Sequence, residues 1–268
     1  AKNNNNFFAL DNFDLSIQPA KEKYFFKGLF GNLNRKILKK LDLYKTKKNF
    51  ILEISNSNKI TYYNPKLLDN IFNENVYMEG YFESEKYFLP HIDEIKKEFT
   101  PKDYLDIEKN KYVPEINNTE SVSLCIRQNR FIEKQGKINK IDQIKSEQFV
   151  SEQINFVNNA IDYFKKKLNK PVFYLWSNDL RDLNKKNNFQ DVIFIDNSNI
   201  QNKIKRTHCD LYLMTKCKHF AVIPSAFNWW GCWLSKYEKS IILRPNNDYF
   251  TSLDIKNKDY WPTKWKKI

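Results

Sequence analysis

The stretch DLYLMTKCKHFAVIPSAFNWWGCWL, residues 210–234, carries the strongest indication of the fold. Its first part predicts a helix over residues 210–217, and the apolar run at 220–223 predicts a short buried strand. A second helix is predicted over residues 229–236. A buried strand between two helices is typical of α/β proteins, in which helices cover both faces of a parallel sheet.

Similar apolar runs recur through the second half of the chain. They predict buried strands over residues 121–127, 171–176, 191–195 and 241–243. A long amphipathic helix is predicted over residues 145–168. Parallel sheets bind ligands at the carboxyl ends of their strands, so the candidate binding residues are those that follow predicted strands. They are Arg127, Gln128, Ser177, Asn178, Asp179, Asp196 and Ser225.

The first half of the chain has a less regular pattern. Apolar residues at helical spacing between positions 25 and 43 predict a helix or a loop with helical turns. Short strands at 50–54 and 60–63 predict a hairpin. The remaining predicted elements are a short helix at 67–72, a strand at 76–82 and a helix at 87–99.

The 268 residues suffice for one large domain or two modest α/β domains. With 45 Lys and Arg against 32 Asp and Glu, the net charge is +13. Because the lysines are scattered, we expect a solvated basic surface, then attraction to an anionic membrane, and no nucleic-acid binding. No run approaches the roughly 20 apolar residues that span a bilayer.

Several chemistries are excluded by the motifs. The chain has neither a GxGxxG nor a GxxxxGK[ST] motif, which argues against a hydride-transfer cofactor and a P-loop. The spacing of the four cysteines, Cys125, Cys209, Cys217 and Cys232, fits no zinc ligand set. We expect free, buried thiols in a reducing compartment, no metal site and a cytoplasmic protein, peripheral at the inner membrane face at most.

Four stretches resemble the α-1,2-fucosyltransferases of glycosyltransferase family 11. Residues 210–234 are similar to the family's D-x-x-L-M-S-x-C-K-H segment and the S-S-F-S-W-W-G-A-W-L segment after it. GYFESEKYF, residues 80–88, is similar to G-Y-F-Q-S-E-K-Y-F. SVSLCIRQNRF, residues 121–131, lies where the family has an H-x-R-R-G-D-Y strand end, and YLWSND, residues 174–179, resembles its F-S-D-D strand end.

The resemblance, over about residues 7–265, implies a GT-B-like α/β fold of two Rossmann-like halves with parallel sheets. The acceptor-side half would be residues 1–118 and the nucleotide-sugar half 119–268. The implied reaction transfers fucose or a related sugar from a GDP-sugar to a glycan acceptor, with inversion and without a metal or other cofactor. The implied process is surface polysaccharide or lipopolysaccharide synthesis.

The resemblance also implies roles for individual residues on the donor side. Arg127 matches the first Arg of the family motif and would neutralise the β-phosphate. Ser177, Asp179 and Ser225 would contact the donor, and Glu133 is a substitute base by proximity. Asp210 would accept hydrogen bonds from the guanine edge, or it is a helix N-terminal residue favoured by the dipole; the two readings weigh equally.

The other motif residues have two readings each. Tyr81, Glu83 and Glu85 would face the acceptor; otherwise Tyr81 belongs to the core or a cleft wall and the two glutamates face solvent. We predict core packing, and not sugar stacking, for the tryptophans Trp229, Trp230 and Trp233. His219 is predicted to end a helix, with a role as general base the weaker reading.

The chain also departs from the family pattern. Cys125, Gln128, Asn129 and Arg130 stand where the family has His, Arg, Gly and Asp. The family's opening G-G-L-G-N-Q segment has no equivalent, so the first unit is missing or the first half has been rebuilt. Two hypotheses follow: an active glycosyltransferase, or a degenerate member that keeps the fold and serves as a binding or assembly partner.

Overall fold

The computed structural model describes residues 10–53, 63–69, 72–133, 139–181, 183, 189, 191–253 and 258–268. The chain forms two compact units. The smaller unit comprises Leu15–Ile95 and Lys256–Pro262, and the larger comprises Ala1–Asp14, Lys96–Ile255 and Thr263–Ile268. Among the described residues, no helix has the length and apolar character needed to cross a membrane. The predicted division into 1–118 and 119–268 stays a prediction.

The first elements along the chain are α1 (Gly28–Asp42), β1 (Lys48–Leu52), α2 (Lys66–Asp69), β2 (Phe72–Glu79) and α3 (Ile92–Glu98). In the smaller unit β1 pairs in parallel with β2, and the rings of Phe50 and Tyr77 stack at 5.2 Å. The buried Asp42 carboxylate accepts from the main-chain N–H groups of Asn49, at 2.9 Å, and Phe50, at 3.0 Å. These bonds tie the end of α1 to β1.

Some predicted elements of the first half differ in the structure. The second strand of the predicted hairpin falls mostly on residues 60–62, outside the described residues. Among the described residues, β1 pairs with β2. The helix predicted over 87–99 is shorter, because 3-10 turns at Glu85–Tyr87 and Leu89–His91 precede α3. Pro90 in the second turn lacks an N–H for a longer α-helical ladder.

The larger unit contains the remaining elements. They are α4 (Tyr104–Ile107), α5 (Val113–Asn118), β3 (Glu120–Ile126), α6 (Lys140–Lys167), β4 (Pro171–Ser177), β5 (Val192–Phe194), α7 (Lys203–Lys216), β6 (His219–Ala221), α8 (Ala226–Trp233), β7 (Ile242–Arg244) and β8 (Lys266–Lys267). All the strands pair in parallel in the order β5-β4-β3-β6-β7-β8. This confirms an α/β fold with a parallel sheet.

The strand order of the larger unit is that of a doubly wound Rossmann-like sheet. The chain proceeds from β3 outward to β5, and then returns to the other side of β3 and proceeds from β6 outward to β8. Val122 is opposite Phe173 on one neighbour and His219 on the other. The order reverses between β3 and β6, and the crevice at such a reversal is where sheets of this type bind ligands.

The tryptophan segment packs as a helix against α7. A Cβ atom on Gly231 would lie 2.2 Å from the Met214 sulfur, so only glycine permits this approach. Trp229 and Trp233 are buried, and Trp230 stacks on Phe99 with ring centroids 5.5 Å apart. The prediction of core packing is confirmed for Trp229 and Trp233, with Trp230 half-buried between rings.

The position of Asp210 in its helix was predicted wrongly. The helix begins at Lys203, where the Asn202 side chain caps it by accepting from the N–H groups of Ile204 and Lys205. Asp210 therefore lies in the middle of α7, away from the helix N-terminus. The reading of Asp210 as a residue favoured by the helix dipole is excluded, because that effect is confined to the first turn.

Candidate functional site

A buried glutamine from α6 holds the carboxyl end of β3. Arg127 is the first residue after β3, and its main-chain N–H donates to Gln153 Oε1 at 2.7 Å. Gln153 Nε2 donates in return to the Arg127 main-chain oxygen at 3.0 Å. Because Gln153 is fully buried, no water competes for these bonds. The main chain of Arg127 is thus fixed, and its guanidinium lies partly exposed at the sheet edge.

The side chains after β3 and β4 form one hydrogen-bonded group. The Arg127 guanidinium pairs with the Glu133 carboxylate. Asn178 Nδ2 donates to Glu133 Oε1 and to the Gln128 main-chain oxygen, both at 3.2 Å, and Asn178 Oδ1 accepts from the Gln128 N–H at 2.8 Å. We refer to Arg127, Gln128, Glu133 and Asn178 as the strand-end cluster.

Ser177 and Asp179 adjoin the strand-end cluster on the β4 side. The Asp179 main-chain oxygen accepts from Gln128 Nε2 and, at 2.9 Å, from the Ser177 hydroxyl. The Asp179 carboxylate accepts two hydrogen bonds from the Arg181 guanidinium, at 2.9 and 2.6 Å. These bonds lower the pKa of Asp179, so the carboxylate is ionised at neutral pH. Four predicted residues, Arg127, Glu133, Ser177 and Asp179, are therefore brought together.

Arg130 spans the crevice where the strand order reverses. Its Nη1 donates to the Pro224 main-chain oxygen at 3.1 Å, and its guanidinium lies 5.4 Å from the centroid of the Phe149 ring. Ser225 follows Pro224 and occupies the N-cap position of α8 without a side-chain capping bond. A partly charged helix N-terminus, a hydroxyl and a guanidinium thus adjoin the loop after β6, and all three interact favourably with anions.

Asp210 belongs to a second polar group, near the end of β5. Asn197 Nδ2 donates to Asp210 Oδ1 at 2.7 Å, and Asn197 Oδ1 accepts from Asn110 Nδ2 at 2.9 Å. Burial raises the pKa of Asp210 to about 6, against the lowering effects of the Asn197 hydrogen bond and the Arg206 charge. The carboxyl thus changes charge within the physiological range, which is unusual for aspartate.

The Cys125 thiol lies within electrostatic reach of both groups. Burial raises the pKa of Cys125 to about 12, while the Arg127 charge lowers it and the Asp210 charge raises it. The charges of Asp210 and Arg127 therefore both act on the Cys125 thiol, which lies near the end of β3. Cys125 stands at the position of the family's histidine, and its buried, protonated thiol is a weak hydrogen-bond donor. Cys209, Cys217 and Cys232 are also buried free thiols.

His219 and Lys218 lie at the opposite edge of the sheet, where the strands begin. His219 Nδ1 accepts from the Ile241 N–H at 3.0 Å, and its Nε2 lies 3.1 Å from Glu120 Oε2. Lys218 Nζ pairs with Glu120 Oε1 at 3.1 Å. Burial lowers the pKa of His219, against the effect of Glu120, and a neutral ring protonated on Nε2 satisfies both contacts. His219 therefore has a structural role, at the start of β6.

The predicted acceptor-side residues lie in the smaller unit. Tyr81 is 70% exposed, which excludes a place in the core. Glu83 is exposed, and Glu85 begins a 3-10 turn. Within this unit the Glu53 carboxylate accepts from the main-chain N–H groups of Tyr81, at 2.7 Å, and Phe82, at 2.5 Å. The acceptor-side roles stay predictions.

The shape of the segment that carries these residues depends on Gly80 and Glu53. A Cβ on Gly80 would lie 2.4 Å from Glu53 Cβ, and Phe82 has a φ of 49° in the left-handed region. Sequence reasoning found the motif but missed Glu53, which lies far from it along the chain. It also missed Gln153 and Asn197, although the position of Asn197 after a predicted strand was a usable signal.

Within the described residues, no group of acidic, His or Cys side chains is arranged to hold a metal ion.

The fold and the site define the larger unit as a Rossmann-like α/β domain with cationic groups at the carboxyl edge of its sheet. The sequence profile described as Glycosyl transferase family 11 matches residues 11–268, and the chain belongs to that family.

Two curated relatives are similar to the chain. An alpha-1,2-colitosyltransferase of Escherichia coli is 27% identical over 194 residues, which cover 70% of this chain and 61% of that protein. The O-antigen biosynthesis glycosyltransferase WbnK of Escherichia coli is 25% identical over 92 residues, 34% of this chain and 30% of that protein. The chain thus matches less than two thirds of either relative's length. No solved structure matches the chain significantly.

Proposed function

We propose that this chain is an inverting, metal-independent glycosyltransferase that binds a GDP-sugar at the carboxyl edge of the larger unit's sheet. It transfers fucose or a related sugar to a glycan acceptor in surface polysaccharide or lipopolysaccharide synthesis, in the cytoplasm. The observation that carries the proposal is the reversal of strand order between β3 and β6, with Arg127 and Arg130 beside it. The names of the two relatives support the reaction class and the process.

The donor diphosphate lies against the two guanidinium groups in this proposal. Arg127 is fixed through its main chain by Gln153 and is only partly covered by its Glu133 partner. A guanidinium matches the geometry of phosphate oxygens and neutralises the charge that develops on the leaving β-phosphate. Ser225 and the N-terminus of α8 provide further donors on the other side of the crevice.

Asp210 recognises the guanine base by accepting hydrogen bonds on its carboxylate. Its partner Asn197 orients the carboxylate, and the raised pKa makes its charge depend on pH near 6. Binding of the base requires the ionised form, so GDP affinity should increase as the pH rises through about 6. The base site also accounts for a half-buried carboxylate in the middle of α7, where partial loss of hydration disfavours a charge.

In the proposed transfer step, Glu133 is the base that accepts the proton of the acceptor hydroxyl. The acceptor hydroxyl oxygen bonds to the anomeric carbon of the sugar as the bond from that carbon to the GDP oxygen breaks. The hydroxyl proton passes to the Glu133 carboxylate, and GDP leaves with its negative charge next to Arg127. Tyr81, Glu83 and Glu85 contact the acceptor glycan, whose hydroxyl groups suit aromatic and carboxylate side chains.

Calorimetric titration with GDP, GDP-fucose and UDP tests the donor site. We expect GDP and GDP-fucose to bind in the micromolar to millimolar range, and UDP to bind more weakly because it lacks the guanine edge. Absence of GDP binding at millimolar nucleotide would overturn the proposal. Adding EDTA is the matched control, since a metal-independent site keeps its affinity for GDP.

A binding protein without catalysis is the second candidate, and the buried Cys125 thiol favours it. A neutral thiol at the position of the family's histidine forms weaker hydrogen bonds to a nucleotide, and Arg130 replaces the family's carboxylate. Measuring GDP release from GDP-fucose with a galactose-type acceptor distinguishes the candidates. Binding of GDP without turnover supports the second candidate, and turnover supports the first.

A further inference from the structure

Helix α1 has an apolar face that points to solvent. Leu29 is 88% exposed, Phe30 89%, Leu33 57%, Ile37 48% and Leu41 53%. Spacings of four residues, with Phe30 beside Leu29, place these side chains in one stripe along the helix. Single exposed apolar residues are normal, but a continuous stripe of this length indicates an interaction surface.

The opposite face of α1 is the one that packs within the smaller unit. Arg35 and Lys39 both pair with Glu79 on β2, at 3.6 and 2.5 Å. Asp42 is buried and accepts main-chain hydrogen bonds from the start of β1. These contacts fix the rotation of the helix about its axis. The stripe therefore faces outward because of specific contacts on the other face.

Basic residues border the apolar stripe. Lys36 and Lys40 are exposed and lie four residues apart, each three residues after an apolar stripe residue. Helix α1 holds four basic residues and only Asp42 as an acidic one, and Asp42 is buried. A helix with Leu and Phe on one face and Lys beside them is typical of segments that lie in the interface of an anionic bilayer.

We infer that α1 seats the protein on a membrane surface that contains anionic lipids, with the stripe in the acyl boundary and Lys36 and Lys40 at the headgroups. A second copy of the chain is a worse occupant, because it would bring two rows of lysines together in a chain of net charge +13. The inference rests on the geometry of α1 and does not depend on the proposed transfer reaction.

Co-sedimentation of the full chain with lipid vesicles tests the inference. We expect binding to vesicles of phosphatidylcholine and phosphatidylglycerol, weaker binding in high salt, and little binding to phosphatidylcholine alone. Replacing Phe30→Ser and Leu33→Ser together should weaken binding at least about tenfold. The matched control is Leu105→Ser, since Leu105 is 63% exposed on α4 and lies outside the stripe.

Two charge-reversal variants, one on α1 and one on α6 as its control, complete the design. Lys36→Glu with Lys40→Glu should abolish the preference for anionic vesicles, whereas Lys166→Glu with Lys167→Glu on α6 should preserve it. Thermal unfolding of the α1 variants should be unchanged, because Phe30, Leu33, Lys36 and Lys40 are all exposed. The inference is overturned if the wild type ignores anionic vesicles, if the Ser variant binds them as well as the wild type does, or if light scattering shows a dimer that the Ser variant dissociates.

Discussion

Arg130 Nη1 donates a hydrogen bond to the main-chain oxygen of Pro224 at 3.1 Å, which joins the segment after β3 to the loop after β6. The two strands are neighbours at the reversal of the sheet order, so the bond crosses the crevice predicted to bind the donor. Phe149 supports the guanidinium from α6 at 5.4 Å. A cation thus occupies the position at which the family motif has an aspartate.

Replacement of Arg130 should weaken binding of a diphosphate. We expect Arg130→Ala to reduce GDP affinity about tenfold or more, because a charge-assisted contact is lost. Arg130→Lys should retain part of the affinity, since it keeps the charge without the planar fork. Calorimetry with GDP gives the values, and Lys166→Ala provides a surface-charge control. Unchanged affinity in Arg130→Ala would assign this residue to loop support alone.

Removing the negative charge of Glu133, the partner of Arg127, should have opposite effects on GDP affinity and on the rate of transfer. In Glu133→Gln the guanidinium loses its charged partner, so GDP should bind several-fold more tightly. If Glu133 is the base, kcat for transfer should fall about a hundredfold or more in the same variant. A variant that binds GDP as the wild type does and turns over at the wild-type rate contradicts both roles.

Stability should depend on pH through Asp210. Its folded pKa is about 6, against 3.8 in the unfolded chain, so between these values the unfolded chain releases a proton that the folded chain retains. Stability from this group is therefore highest below pH 3.8 and decreases as the pH rises to 6, by on the order of 2–3 kcal/mol. Asp210→Asn removes this dependence and keeps an acceptor for Asn197.

Urea unfolding of the wild type and Asp210→Asn across pH 4 to 7 measures the difference. We expect the variant to be the more stable of the two at pH 7 and the gap to close toward pH 4. A gap that stays constant with pH would mean that Asp210 has an ordinary pKa in the folded chain.

Gly231→Ala should destabilise the larger unit by about 1–3 kcal/mol, because the added methyl group overlaps Met214. Met214→Ala alone should cost about 2–5 kcal/mol through the cavity it leaves. The double variant should lose less than the sum, since the new methyl group occupies part of that cavity. Thermal or urea unfolding of the wild type, the two single variants and the double variant gives the coupling free energy between the two positions. Strict additivity would show that α8 does not pack on α7 through these residues.

The apolar runs of the sequence predicted β3 to β7, of which β3, β4 and β6 are largely buried and β5 and β7 are half-buried. The strand β8 was missed because it consists of two exposed lysines, which carry no apolar signal. The start of α7 was missed because residues 203–207 are mostly polar. The capping by Asn202, which decides where that helix begins, is visible only in the structure.

The helical periodicity of residues 25–43 predicted α1, but periodicity does not tell whether an apolar face meets protein or another partner. The rule that binding residues follow parallel strands predicted Arg127, Ser177, Asp179 and Ser225, and the structure places each of them at the end of a strand or in the loop after it. It did not find Gln153 or Glu53, whose contacts depend on how distant segments approach each other.

The central claim is that Arg127 binds the diphosphate of a guanine nucleotide at the carboxyl edge of this sheet. Its most direct test is a titration of GDP and of guanosine against the wild type and Arg127→Ala. The account predicts that the variant loses at least about tenfold in GDP affinity, with guanosine affinity nearly unchanged. Equal weakening of both ligands, or no GDP binding to the wild type, would contradict it.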